Sequence, residues 1–290
     1  MALMHNLETQ YEKSTIKRAM AYSEFRLFRV VAPYAASKIS PGGAMRLKAI
    51  CCQVLTREMN SAISQSPHAV ELEILPMGLH DLGASMRPYL QERIDAADRE
   101  EYDAIVLGYA LCGRGTEGLR AGKTQLVLPR AHDCIGLLMG DRHQYQAYFD
   151  THPGVYFRSP GWVEFSSQDL ALQPANTTAK NKIGERRSRE ELIAQYGEEN
   201  GNYLFEQFRA YRRNYSGLTY ISTGVESEDA FRNQARAEAE REGWRFEEIQ
   251  GSLKLLERLV NGEWDAAEFL VVPPGATVQG SLGESIVEAI

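Results

Sequence analysis

Short apolar runs of strand length recur along this chain, and each is followed by a stretch of helical spacing or a glycine-rich loop. Leu47-Lys-Ala-Ile-Cys-Cys52, Val70–Leu75, Asp103–Tyr109 and Thr124–Leu128 are the first four runs. Between them, Val54–Ser64 sets Val54, Leu55, Met59, Ala62 and Ile63 at helical spacing. Leu82–Ala97 sets Leu82, Met86, Leu90, Ile94 and Ala97 on one face. The third run is apolar almost throughout, as in a strand covered on both faces. The rhythm returns in strands at 218–222, 244–249 and 269–272, with helices at 228–242 and 253–260. This order predicts an α/β fold with mainly parallel sheet, as two Rossmann-like halves around a cleft.

The rhythm also sets the expected boundaries. Residues 1–45 read as a polar N-terminal leader ending near Ser40-Pro41-Gly42-Gly43, and 46–140 as the first α/β half. Residues 141–216 break the pattern and read as an insertion or cap, with 217–290 as the second half. Inside the insertion, Tyr156–Trp162 reads as a strand or turn and Tyr203–Tyr211 as an aromatic helix. Lys180, Lys182, Arg186, Arg187 and Arg189 read as a solvated helix start, with Ser188-Arg-Glu-Glu191 as a capping box. No clear internal repeat relates the two halves.

Composition narrows the function classes. A formal charge of −7 argues against a nucleic-acid binder, which needs a basic face. No apolar run approaches the ~20 residues of a membrane span. The first thirty residues are broken by Glu8, Glu12, Lys13, Lys17 and Arg18, so they are not read as a signal peptide. Four cysteines are too few for a disulfide scaffold, which points to a reducing, cytoplasmic compartment.

Those cysteines fall where predicted strands end. Cys51 and Cys52 close the first run, Cys112 follows the third, and His132-Asp133-Cys134 follows the fourth. In an open parallel sheet, ligands bind beyond the carboxyl ends of the strands. Thiols and an imidazole there suit zinc: Cys112, His132 and Cys134 would hold it, with Cys51 or Cys52 as a further candidate ligand, and three protein ligands leave the fourth position open for substrate. Zinc would lower a bound thiol's pKa and so activate it. An iron–sulfur cluster on the same cysteines is the other metal reading. The competing view makes the cysteines small core hydrophobes.

Other residues surround this set. Arg130 could clamp a carboxylate or phosphate, and Asp133 could orient His132; they could equally pair with each other. His80 lies past the second strand as a ligand or general acid/base. Tyr109, Tyr156 and Trp162 could wall a pocket, and Val271-Val-Pro-Pro-Gly275 could close the cleft. Gly113, Gly115 and Gly118 form a G-x-G-x-x-G, but only Leu119–Lys123 separate it from the next strand. That leaves no room for a phosphate-capping helix, so the loop reads as one that lets backbone approach a ligand. Walker, G-x-S-x-G, H-E-x-x-H and EF-hand patterns are absent.

Leu47–Cys52, Gly78-Leu79-His80, Gly108-Tyr-Ala-Leu-Cys-Gly113, Gly118–Gly122, Leu128-Pro-Arg-Ala-His-Asp-Cys-Ile135 and Pro160-Gly-Trp162 together resemble the DUF1638 family over roughly residues 46–275. The resemblance places Cys112, His132, Asp133 and Cys134 in shared blocks. It matches either Cys51 or Cys52 to the cysteine after the first strand. Members are found near corrinoid-dependent methyltransferase genes, which implies one-carbon chemistry. The resulting expectation is a zinc-thiolate enzyme of one-carbon or methyl-group metabolism acting on a small-molecule substrate. Its alternatives are an iron–sulfur protein, or a non-catalytic cofactor-binding or maturation partner of a corrinoid protein or other metalloenzyme.

Overall fold

The computed structural model describes residues 30–31, 43–80, 86–166, 189–209 and 214–290. The leader before Gly43, apart from 30–31, lies outside the described residues, as do Lys180, Lys182, Arg186–Ser188 and Tyr211. The fold is mixed α/β with a mainly parallel main sheet. The two strand-rich regions share one compact unit, and the helices at 189–209 belong to another.

The main sheet is built from β1 (Val30–Val31), β2 (Arg46–Cys52), β3 (Ala69–Leu75), β4 (Ala104–Gly108), β5 (Leu126–Pro129) and β9 (Phe269–Val272). Their order is β1-β3-β2-β4-β5-β9. β3, β2, β4 and β5 run parallel, and β1 and β9 close the edges antiparallel. All five residues of β4 are buried, which confirms a strand covered on both faces. Helix α1 (Thr56–Gln65) follows a 3-10 turn at Gln53–Leu55, and α2 (Met86–Ala97) follows β3. α2 buries Met86, Leu90, Ile94 and Ala97, the stripe its spacing predicts. A fully buried Leu or Ile stabilises by about 1.5–3 kcal/mol, so such stripes hold the helices on the sheet. Residues 81–85, where the sequence starts this helix, lie outside the described residues.

A second, smaller sheet is parallel throughout, in the order β6-β7-β8: β6 (Val155–Arg158), β7 (Gly217–Ser222) and β8 (Arg245–Gln250). α3 (Cys134–Met139) and α4 (Arg142–Thr151) lead from the main sheet into it. Helix α5 (Pro160–Ser166) follows β6, with proline at its first position, where the missing N–H costs nothing. In the separate unit, α6 (Arg189–Tyr196) and α7 (Glu198–Arg209) meet at Gly197, whose φ of +82° suits glycine. α8 (Asp229–Glu242) and α9 (Lys254–Val260) flank the C-terminal strands, and β10 (Val278–Gly280) pairs with β11 (Val287–Ala289). No helix among the described residues is long and apolar enough to cross a membrane.

Two strands lie in sheets other than their stretch of sequence suggests. β6, inside the expected insertion, pairs with β7. β9, in the expected second half, pairs with β5 of the main sheet. Its Val271-Val-Pro-Pro-Gly275 turn docks on the chain at Ala121, where Gly275 N–H donates to the Ala121 carbonyl at 2.9 Å. The periodicity that marks a strand carries no information on which sheet accepts its edge.

The carboxyl ends of both sheets meet within this unit. Thr223, just past β7, lies 2.9 Å from Glu58 of α1. Ser252 N–H, just past β8, donates to the Leu138 carbonyl of α3 at 2.8 Å. α5 lies on the turn after Cys52 so closely that a Cβ on Gly161 would sit 1.9 Å from the Val54 carbonyl oxygen. That neighbour is backbone, which no side-chain rotation can move away. Gly161→Ala is therefore expected to destabilise the protein by about 2 kcal/mol or more, read from denaturant midpoints at unchanged m-value.

Candidate functional site

The order β3-β2-β4-β5 reverses direction between β2 and β4: the chain passes from β2 to β3 on one side, then crosses to β4 on the other. Such a switch point opens a crevice at the strands' carboxyl ends. Cys51 pairs in register with Gly108, and β2 ends at the next residue, Cys52. Continuing that register sets Tyr109 beside Cys52, and alternation turns the two cysteines to opposite faces. Cys51 packs into the core: a Cβ on Gly108 would lie 2.5 Å from its Sγ. Its thiol donates to the Cys52 carbonyl at 3.4 Å.

Past β4, the backbone continues the β5 pairing. Leu111 N–H donates to the Ala131 carbonyl at 3.0 Å, and Cys112 N–H to the His132 carbonyl at 2.9 Å. Cys112, Gly113 and Arg114 then take φ values of +49°, +62° and +69°. For Cys112 and Arg114 this left-handed conformation costs on the order of 1 kcal/mol each, and such strain collects at functional sites. The loop from Cys112 to Gly118, which holds Gly113 and Gly115, is made of turns without a helix, in line with the rejected phosphate-loop reading.

Three strand ends thus deliver Cys52, Cys112 and Cys134 to one neighbourhood. Burial pushes the Cys112 thiol up to about 12; Ala110 backbone opposes this, and Cys52 and Asp133 add to it. Burial likewise raises the Cys134 thiol well above the ordinary range, with Cys112 and Cys52 next in effect. The Tyr109 phenol is buried and raised by that burial, and it feels Cys52, Cys51, Cys112 and Cys134. Its hydroxyl has no hydrogen-bond partner among the described residues. None of the four cysteines is in a disulfide.

The charged residues around this cluster make hydrogen bonds within the chain. Asp133 caps α3: one carboxylate oxygen accepts from Ile135 N–H at 3.0 Å and Gly136 N–H at 3.1 Å. The other accepts the Tyr145 hydroxyl at 2.8 Å. Asp133 thus serves the helix start, and His132 beside it is exposed. Arg130 donates to the carbonyls of Ala266, Phe269, Ser285 and Val287 and so staples the C-terminal segment. His80 sits half-buried in the turn after β3. Trp162 is half-buried in α5 and packed on the core. Among the described residues, no three His, Cys, Asp or Glu side chains form a group arranged to hold a metal ion.

An open cleft of about 480 Å³ lies where α1, α5 and the loop after β7 meet, lined by Arg57, Asn60, Glu164 and Glu226 among others. Arg57 is held by Glu164 at 2.8 Å and by Glu226. Beneath it Glu58 is fully buried. Sequence reasoning missed Glu58, although Leu55, Met59 and Ala62 already place that position on the buried stripe of α1.

A family model described as protein of unknown function, DUF1638, matches residues 74–260. The match takes in Tyr109, Cys112, Asp133 and Cys134 and begins after Cys52. No curated protein matches the chain.

Two outcomes test this geometry in metal-free protein. The folded state keeps the Cys112 proton from about 9, the ordinary value, to about 12, while the unfolded chain loses it. Stability therefore falls as pH rises through that window, and Cys112→Ala flattens the fall in urea melts from about pH 8 to pH 11. Tyr109→Phe removes an unpaired buried hydroxyl, so it is expected to leave stability unchanged or raise it by about 1 kcal/mol.

Proposed function

Because the chain belongs to the DUF1638 family, described only as proteins of unknown function, its activity has to be argued from its own residues, and we propose a metal-dependent enzyme of one-carbon or methyl-group transfer, centred on Cys52, Cys112 and Cys134. The observation that carries this reading is the unpaired Tyr109 hydroxyl among thiols from three strand ends at the switch point. Buried thiols alone are at home in a core. A buried hydroxyl without a partner costs about 1–3 kcal/mol, and neutral thiols are poor acceptors for it.

The donor set fits a thiophilic metal in kind: three sulfurs with a phenol beside them. Cys52, Cys112 and Cys134 would hold it, and His132 would join by turning inward from its exposed position. Zinc supplies thiolate or Lewis-acid chemistry at neutral pH when bound. The chain's own residues do the rest. The Asp133 cap fixes Cys134 at the start of α3. The strained turn places Cys112 just past β4, and burial keeps bulk water from Cys52 and Cys112. The two sheets then serve as Rossmann-like halves, with the space between their carboxyl ends as the cleft for a small-molecule substrate. A corrinoid protein or other metalloenzyme would be the partner, in a reducing compartment that keeps the thiols free.

One observation favours the second reading, an iron–sulfur cluster. Cys52 and Cys112 are buried and Cys134 half-buried while His132 is exposed, which favours an all-sulfur donor set.

Elemental analysis with visible spectra on anaerobically purified protein separates the two. About one zinc per chain, lost in Cys52→Ser, Cys112→Ser and Cys134→Ser, supports the zinc centre; iron with sulfide and a charge-transfer band supports the cluster. Protein that carries neither zinc nor iron, with all four thiols titrating on denaturation, ends both.

A further inference from the structure

On the Cys51 side of β2, a single hydroxyl lies between two buried carboxyl groups. Glu58, on α1, is fully buried, and Glu228, before α8, is nearly so. Thr223 Oγ lies 2.9 Å from Glu58 Oε1 and 3.3 Å from Glu228 Oε1. A hydroxyl carries one proton and cannot donate to both. The second contact needs a proton on a carboxyl group.

The remaining partners say which one. Glu228 Oε1 also accepts from Thr223 N–H at 2.9 Å and Gly224 N–H at 2.7 Å. Its Oε2 accepts the Tyr220 hydroxyl at 3.1 Å. These are donors arranged for an anion. Glu58 Oε2 has no partner among the described residues, and an ionised carboxylate left so would be costly.

We infer that the folded protein keeps one proton on Glu58, which donates through Thr223 Oγ to Glu228 and latches α1 to the carboxyl end of the second sheet. The chain reads Glu58 O–H to Thr223 O–H to Glu228 carboxylate, with every proton assigned. The groups facing Glu58 are Glu228 across the hydroxyl, Cys51 from β2 and Arg57 on its own helix. Arg57 is itself engaged by Glu164 of α5 and by Glu226. Burial, the largest influence, raises the Glu58 carboxyl; its own backbone N–H and the Thr223 hydroxyl oppose this, and Glu228 adds a smaller rise. Ionising Glu58 sets two carboxylates on one hydroxyl, so the latch is pH-sensitive: it is closed while Glu58 is protonated and opens as pH rises. This device stands apart from the thiol centre and does not depend on any metal.

Infrared spectra and hydrogen exchange of the full chain at about pH 6 and pH 9 test it. The wild type is expected to show a protonated-carboxyl band at the lower pH that Glu58→Gln removes. Exchange at residues 223–228, corrected for intrinsic rate, is expected to rise at least about tenfold at the higher pH in the wild type. In Glu58→Gln, an uncharged isostere, that rise is absent. Thr223→Val is expected to give fast exchange at both values. A band that survives Glu58→Gln, or an equal pH-dependent rise in that variant, overturns the proposal. Should Glu58→Gln fail to fold, a wild-type spectrum lacking the band at the lower pH overturns it without any variant.

Discussion

The parallel pairing of β2 with β4 is the constraint on which the rest depends. It brings Cys51 opposite Gly108 and ends β2 at Cys52. It also makes the switch point, since β3 and β5 lie on opposite sides of this pair. Gly108 is required there because any side chain would collide with the Cys51 sulfur and the Met59 methyl. One tight contact therefore holds strand, helix and crevice in register. In a close-packed core such contacts do not relax cheaply, so the crevice inherits the rigidity of the sheet.

Much of the main sheet was legible in the sequence because its signals are local. The apolar run 104–108 and the stripe Met86, Leu90, Ile94 are patterns of adjacent residues. β9 and β6 were readable as strands but not as members of their sheets. Edge pairing is decided by where a loop leads, as when Gly275 docks on Ala121.

The convergence of the thiols was legible in the sequence, and the structural contacts of the charges near them were not. Strand-end position, a sequence property, found Cys52, Cys112 and Cys134. The charges near them invited chemical roles that the fold spends on structure. Arg130 finds four carbonyls of a segment more than a hundred residues away. Asp133 finds the free N–H groups of the helix that begins after it, as a cap residue does. A short polar side chain just before an apolar helix is a cap signal, and it applied at Asp133 from the outset. His132, between them, is exposed because neighbours that cap and staple fix the backbone and leave its side chain outside.

Two buried polar groups remain unsatisfied near β2, and strand alternation sets them apart. Tyr109 lies beside Cys52, while Glu58 lies on the Cys51 side. A fold that needed only stability would carry Phe and Gln or Leu at these positions, because an unpaired buried hydroxyl or carboxyl is a net loss. The two losses differ in kind. A proton on Glu58 gives its pair a complete hydrogen-bond chain from residues already present. Nothing among the described residues does the same for Tyr109. Its acceptor is not among the described residues unless the thiols around it ionise. That difference is why we propose the thiol side of β2 for a ligand, and the glutamate side as a joint within the protein.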